Sequence, residues 1–359
     1  MSPRSEINEE KLKEYAKLVF GALGGAMTSS MIYLGDRLGL YTALAEAGSV
    51  TSEELAGRTQ LDERWIREWL YQQGAAGLLE HRGGGQFELT PEGRVLLADE
   101  SHPAFGAGFF SHLPETLAAA ERLPECFRTG LGLPYDALGP GGARGIERGV
   151  AAWFRALLVP ALLPRIDGVV EQLTRGVLAA DVGCGAGVAL LEMAKAFPKS
   201  EFHGYDISTH ALERAEANLA EAGVANARFH HADRDPLPED GDFASIVTFD
   251  CLHDMAHPAE IMARIRRAIA PDGSWLIADI KAHETYDENV ERNPMAEMMY
   301  GSSVLTCMSS ALSEEGGLGL GTLGLHPKLV RRMTAEAGFT RFEQIDLRHP
   351  VNAFYAVRP

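Results

Sequence analysis

The chain has 359 residues, enough for two domains, and 46% hydrophobic with 23% charged residues is the composition of an ordinary globular protein. A formal net charge of −17 argues against broad affinity for nucleic acid or an anionic membrane, because both need positive surface. No apolar run approaches the roughly 20 residues of a membrane span, the start of the chain from Met1 to Glu10 is polar and unlike a secretory signal, and Cys126, Cys184, Cys251 and Cys307 lack metal-ligand spacing and read as free thiols of a reducing cytoplasm.

Residues 10–47 read as helical. Leu12, Tyr15, Leu18, Val19 and Leu23 recur at three- and four-residue steps, and a second apolar segment runs from Met31 to Ala45. Thr51, with Glu54 three residues later, is a capping signal for a short helix. Asp62 caps another through Ala75, with Trp65, Ile66, Trp69 and Leu70 as its packing face. Two short extended runs around Gly83-Gly84-Gly85 predict a hairpin. Helix, turn, helix and hairpin is the order of a winged helix. Phe105 to Leu123 is a further helical candidate, and the Gly- and Pro-rich stretch Gly130 to Gly149 is expected to be a connector that covers the active site. An apolar helix interrupted by Pro160 and Pro164 spans Trp153 to Leu173.

From residue 177 strands and helices alternate. Strands are expected at 177–183, 201–206, 227–231, 243–250, 273–280, 340–347 and 352–358, with helices near 187–197, 209–222 and 257–270. This predicts an α/β fold, a Rossmann-like seven-stranded sheet, parallel except for one antiparallel strand at its end. The expected division is 1–100 for the N-terminal helices and winged helix, 101–174 for a helical connector and 175–359 for the sheet domain.

Asp181, Gly183, Gly185 and Gly187 form an acidic strand end followed by alternating glycines, a turn bare enough for a nucleotide-like ligand to lie against. Asp206 ends the second strand, where a carboxylate can accept from both ribose hydroxyls, and Ile207 follows it. Asp233, with Arg234, closes the third strand and can accept from an exocyclic amine. Together these describe an adenosine site. A dinucleotide fingerprint would need Gly or Ala at position 188, which is Val. The pattern instead resembles the first motif of class I S-adenosylmethionine-dependent methyltransferases.

The fourth strand ends at Asp250 and continues Cys251-Leu252-His253-Asp254-Met255. This resembles the Leu-His-Asp-Trp stretch of winged-helix O-methyltransferases, with Met255 in place of Trp. The resemblance implies His253 as general base, and Asp254 is positioned to orient or charge-pair it. The insertion 282–326 carries Met298 and Met299, candidates for an apolar substrate pocket as well as for core packing. The run from Gly316 to Gly321 has no preceding strand and no Gly-Lys-Ser/Thr, so it reads as a mobile loop rather than a phosphate loop.

The resemblance implies methyl transfer from S-adenosylmethionine to a small, fairly apolar molecule, most readily at oxygen, with nitrogen or carbon as the alternative. It also implies a cytoplasmic homodimer built on the N-terminal domain, with Met27 and Tyr33 as pocket wall. No metal, nucleic acid or membrane is expected. The competing class is a winged-helix DNA-binding regulator that keeps the cofactor as a ligand. Acidic residues at the start of its recognition helix, Asp62 and Glu63, oppose that reading.

Overall fold

The computed structural model describes residues 7–359, so the polar stretch from Met1 to Glu6 lies outside the described residues. The described chain divides into two units, one ending at Leu113 and the other running from Pro114 to Pro359. In the first unit, α1 (Glu9–Arg37) starts at Asn8, whose side chain accepts from the Lys11 N–H. Its N-terminal two-thirds carries Leu12, Tyr15, Leu18, Val19, Phe20, Leu23 and Met27, all more than half exposed. By length and composition α1 qualifies to cross a membrane, with a mean hydropathy of 1.4 over its most apolar 18 residues. That corrects the expectation drawn from the sequence, where Lys11, Lys13, Glu14 and Lys17 obscure the apolar run from Leu18 onward.

Next come α2 (Leu40–Ala47), α3 (Ser52–Thr59) and α4 (Glu63–Ala75), then β1 (Glu80–Gly83) paired antiparallel with β2 (Gln86–Glu88), and α5 (Pro91–Leu97). Thr51 and Glu54 form the expected reciprocal capping box, and Asp62 caps α4. The buried stripe of α4 is Ile66, Trp69, Leu70 and Gln73, at helical spacing. Trp65 departs from expectation: it lies roughly a quarter of a turn off that stripe and is 79% exposed. The Trp69 indole N–H donates to the Met31 carbonyl at 2.9 Å, and its ring meets Tyr41 edge-on.

The second unit opens with α6 (Leu113–Ala119) and α7 (Leu123–Thr129), short helices where one longer helix was expected. The Gly-rich stretch is not a loose connector. Most of it is α8 (Gly139–Trp153), whose Gly142, Gly145 and Gly149 are buried. A Cβ on Gly141 would sit 2.2 Å from the Glu115 carboxylate, the movable end of a flexible side chain. The chain winds on through Phe154–Leu162 in wide π-helical turns that absorb Pro160, then through a short turn to α9 (Val169–Arg175).

The sheet strands are β3 (Leu178–Val182), β4 (Glu201–Asp206), β5 (Ala227–His231), β6 (Phe243–Phe249), β7 (Ile269–Ile280), β8 (Arg341–Ile345) and β9 (Asn352–Arg358). Between them run α10 (Val188–Ala196), α11 (Thr209–Ala222), α12 (Pro258–Ala268), α13 (Tyr286–Arg292), α14 (Ala296–Leu305), α15 (Cys307–Ala311) and α16 (Pro327–Glu336). The strand order is β5-β4-β3-β6-β7-β9-β8. The antiparallel strand, β9, lies between β7 and β8 rather than at the sheet's end. A hairpin whose second strand inserts beside β7 pushes the first strand outward, which the sequence order does not reveal. Side-chain alternation places Leu276, Ala278, Phe354 and Ala356 in the core of one face, with Leu158, Leu162 and Leu190. Trp275, Ile277, Tyr355 and Val357 enter the core of the other face, with Met262, Ile265 and Val330. Reversal of strand order between β3 and β6 opens a crevice at their carboxyl ends, where ligands bind in such sheets.

A Cβ added to Gly35 would lie 2.5 Å from the Trp69 ring and 2.8 Å from Tyr41. Gly35→Ala is expected to destabilise the first unit by about 1–3 kcal/mol through overpacking, read as a lower denaturation midpoint.

Candidate functional site

The turn from β3 into α10 is built by three glycines in the left-handed region, with φ of 75° at Gly183, 53° at Gly185 and 75° at Gly187. Their surroundings differ. A Cβ on Gly183 would strike the Cys251 thiol at 2.6 Å, and one on Gly187 would strike the Phe229 ring at 2.3 Å. Gly185 faces open space. Two glycines therefore pack the turn onto the sheet, and the middle one leaves a bare backbone surface. Asp206 holds that surface in place, accepting from the Gly185 N–H at 2.7 Å and the Ser208 N–H at 2.8 Å, one on each carboxylate oxygen. Each oxygen keeps a second lone pair for a ligand hydroxyl. The α8 helix supports the same turn. Asn218 donates to the Ala186 carbonyl at 3.0 Å and to Glu147 of α8 at 2.9 Å, and Glu147 also takes a two-pronged bond from Arg214.

Carboxyl groups crowd the crevice. Asp181 is 1% exposed and its Oδ1 has no hydrogen-bond partner. Burial, then the Asp206 charge, pushes it up to about 8. Burial also raises Asp206, against its backbone donors. Asp250 stands at φ 49°, a strained position for a residue with a side chain. Its carboxylate accepts from Asn352, and burial, then Asp279, lifts it to about 7. Burial lifts Asp254 well above the carboxylate range despite the His253 charge.

His253 follows β6 and is 3% exposed. Its Nδ1 lies 2.6 Å from Asp279 Oδ1, the end of the neighbouring strand β7. Register explains the meeting, since Phe249 of β6 pairs with Ala278 of β7. Burial pulls the imidazole down, but the Asp279 carboxylate and its hydrogen bond hold it well above the ordinary histidine value. The orienting acid is thus Asp279. Asp254 feels the His253 charge without taking its hydrogen bond. The thiol of Cys307 also faces this imidazole, and Thr306 Oγ1 is 3.5 Å from its sulfur.

Four residues here were absent from the sequence reading of the site: Asp279, Cys307, Tyr135 and Asp136. Asp279 carried a signal, the single charge inside the apolar run Ser274 to Ile280. Tyr135 and Asp136 are flanked by glycine and proline ahead of α8. Asp136 accepts from the Ser208 hydroxyl and from the Thr209 N–H at 3.1 Å, beside Asp206. The Tyr135 phenol is pushed up by burial, then by Asp254 and Asp206. The expectation that this stretch covers the site applies to these two residues.

The remaining candidates are dispersed. Ile207 is 55% exposed at the end of β4, and Asp233 and Arg234 are exposed in the turn after β5. Met299 is buried with Ala282, Ala296 and Leu323 and so packs core, whereas Met298 is exposed. In the first unit Met27 is exposed, and Tyr33 is half-buried under the Arg37 guanidinium. An apolar cavity of about 100 Å³ lies between α7 and α14–α15, lined by Leu123, Phe127, Val304, Met308 and Leu312. The run from Gly316 to Gly321 is pinned rather than loose. Leu318 N–H donates to the Ala256 carbonyl at 2.9 Å, and a Cβ on Gly317 would meet the Ala311 carbonyl at 2.3 Å. Among the described residues no cluster of His, Cys, Asp and Glu is arranged to hold a metal.

Comparison with known proteins agrees with this geometry. Residues 173–338 match the family described as methyltransferase domain, and residues 26–97 match the Rv2258c-like winged HTH domain. An uncharacterised transposon protein of Streptomyces fradiae is 27% identical over 206 residues, 56% of this chain and 50% of its own. The malonyl-[acyl-carrier protein] O-methyltransferase of Halalkalibacterium halodurans is 27% identical over 111 residues, 30% of this chain and 40% of its own. The chain thus spans half or less of these curated relatives. Human N-acetylserotonin methyltransferase, solved in complex with SAM, has the same fold with a TM-score of 0.69, at 19% identity over 100% of this chain and 99% of that one. An O-methyltransferase family protein from Burkholderia thailandensis aligns with a TM-score of 0.67, at 15% identity over 99% and 98%.

Asp181 supplies a test that needs no substrate. Its folded pKa lies above the ordinary unfolded value near 3.9. The folded chain therefore binds the extra proton, and stability falls as pH rises from about 4 to about 8. Asp181→Asn is expected to flatten that part of the pH–stability curve and to stabilise the ligand-free chain at pH 8, measured by urea unfolding at several pH values.

Proposed function

We propose that the chain, in which a methyltransferase domain at 173–338 follows a winged HTH domain at 26–97, is a class I S-adenosylmethionine-dependent methyltransferase that methylates a small, fairly apolar molecule at oxygen, with His253 as general base. The observation that carries the cofactor reading is the charge deficit of the crevice. Asp181 and Asp206 are buried beside the bare Gly185 backbone, and one Asp181 oxygen lacks a partner. A ligand bearing a sulfonium and an ammonium supplies the missing positive charge, whereas a pyrophosphate would add negative charge to a site already short of cations. Asp206 would hold the ribose hydroxyls, with Ile207, Asp233 and Arg234 at the rim toward the base. Asp181 and the 183–187 turn would hold the amino-acid end, with Asp250 behind it.

When bound, the sulfonium provides an activated methyl group for in-line displacement. The chain's own part is to hold the acceptor and remove its proton. Asp279 fixes the His253 ring through Nδ1, which leaves Nε2 to take the proton. Asp279 also stabilises the imidazolium that results. The cavity lined by Val304, Met308 and Leu312 supports an apolar acceptor. The exposed apolar face of α1 supports a homodimer, and the acidic start of α4 continues to oppose the DNA-binding reading.

Three outcomes are expected. Asp206→Ala releases the Gly185 and Ser208 N–H groups, whose bonds to a charged acceptor are worth about 1.5–3 kcal/mol each. Calorimetry should then show S-adenosylmethionine affinity reduced by at least about 100-fold. His253→Ala should leave that affinity intact and slow turnover by roughly 10²–10⁴-fold; an unchanged rate sinks the general-base assignment. Because Asp279 raises the His253 pKa and the base must be unprotonated, the rising limb of the pH–rate profile should lie above the ordinary histidine value of about 6.5. In Asp279→Asn the limb should move to lower pH.

A further inference from the structure

The segment between α7 and α8 is fastened at two places. Gly130 ends α7 at φ 79° and Gly139 opens α8 at φ 66°, and a Cβ on either would meet nothing. Both bend the chain without packing against a neighbour. Beside the first bend the chain is fixed. The Gly132 N–H donates to the Leu312 carbonyl at 2.8 Å and the Leu133 N–H to the Ser309 hydroxyl at 2.8 Å. A Cβ on Gly132 would fall 1.8 Å from the Ser309 carbonyl oxygen. Past Leu133 the attachment changes. Residues 134–138 make one short turn. A cavity of about 10 Å³, lined by Pro134, Tyr135, Ala137, Leu305 and Thr306, leaves that turn incompletely packed against α14. Its far attachment is polar. The Asp136 carboxylate accepts from the Ser208 hydroxyl and the Thr209 N–H at the start of α11. Ser208 relays the contact, because its own N–H donates to Asp206. Asp136 thus stands one residue from the carboxylate assigned to the ribose, and its charge helps to push Asp206 up. The Tyr135 phenol faces Asp254 and Asp206, so the turn lies across the ends of β6 and β4.

We propose that residues 134–138 are a strap that opens and closes over the cofactor crevice, and that Asp136 is its latch, a positioning residue that gates exchange of S-adenosylmethionine and its demethylated product. This rests on the cofactor reading above. The latch consists wholly of the chain's own groups, so it closes the strap with or without cofactor. Opening breaks the Asp136 bonds to Ser208 and Thr209, with Gly139 as hinge, and leaves the Gly185 and Ser208 N–H groups on Asp206. Gate and grip are therefore separate. Weakening the latch raises the open fraction of the free and the bound chain alike. Association and dissociation then quicken together while affinity hardly changes.

The test follows radiolabelled S-adenosylmethionine on the full chain, with association read from the approach to binding and dissociation from a chase with unlabelled cofactor. A hydrogen bond to a charged acceptor is worth about tenfold or more. In Asp136→Ala both rates should rise by at least about tenfold, with Kd within about threefold of the unaltered chain. Asp136→Asn, which keeps an acceptor but not the charge, should lie between, and it carries the same two rates should the alanine variant not fold. Hydrogen exchange read by peptide mass should quicken over 134–138 in the variants and stay unchanged in α7. Unchanged rates in both variants, or exchange over 134–138 that does not quicken, overturn the proposal. So does faster dissociation with slower or unchanged association, the mark of a lost ligand contact or a damaged fold. If the unaltered chain binds no S-adenosylmethionine, the cofactor reading falls and the gate with it. If it binds and the rates do not respond, the gate alone falls.

Discussion

Carboxyl groups crowded at the carboxyl ends of β3, β4, β6 and β7 are the constraint around which the site is organised. Each is placed there by a parallel strand that stops at the same level, so the fold itself brings Asp181, Asp206, Asp250 and Asp279 together. Burial and mutual repulsion then resist the ionisation of Asp181, Asp206 and Asp250, which is why Asp181 and Asp250 sit near 8 and 7. A buried charge without a partner is expensive, and here some carboxyls stay protonated until a cation arrives. His253 neutralises one of them, Asp279. The rest define a crevice that favours a positively charged ligand before any question of shape is asked.

Shape is supplied by the glycine turn and by what braces it. Gly183 and Gly187 lie so near Cys251 and Phe229 that no side chain fits, while Gly185 opens outward. Asp206 ties the open part of the turn to the end of β4, and Asn218 ties its far end to Glu147 on α8. A glycine-rich helix is an unusual brace, because each buried glycine costs helix stability. Burial of Gly142, Gly145 and Gly149 with Glu147 shows what is gained: the helix lies in the interior and carries Glu147 inward.

Much of this was legible from residue order alone. Alternating apolar strands, the three glycines and the acids at strand ends are local patterns, and local patterns survive in sequence. The misreadings share a cause. The stretch Gly130 to Gly149 reads as a connector because glycine propensity is local, whereas the helix that takes up most of it, α8, is stabilised by packing that sequence does not display. The antiparallel strand β9 was given the sheet's edge because sequence order says nothing about insertion beside β7. Asp254 was paired with His253 because the two are adjacent in sequence. Asp279 is adjacent only through the register of β6 and β7. Cys307 lies still farther along the chain, and nothing near it in sequence announces the imidazole it faces.

On the reading of His253 as general base, Asp279 has two effects that pull in different directions. It stabilises the charged ring that forms when the base takes a proton, and the same stabilisation raises the pH at which the ring gives that proton up beforehand. The register of β6 and β7, which brings the two side chains together, thus sets both the strength of the base and the pH at which it is free to act.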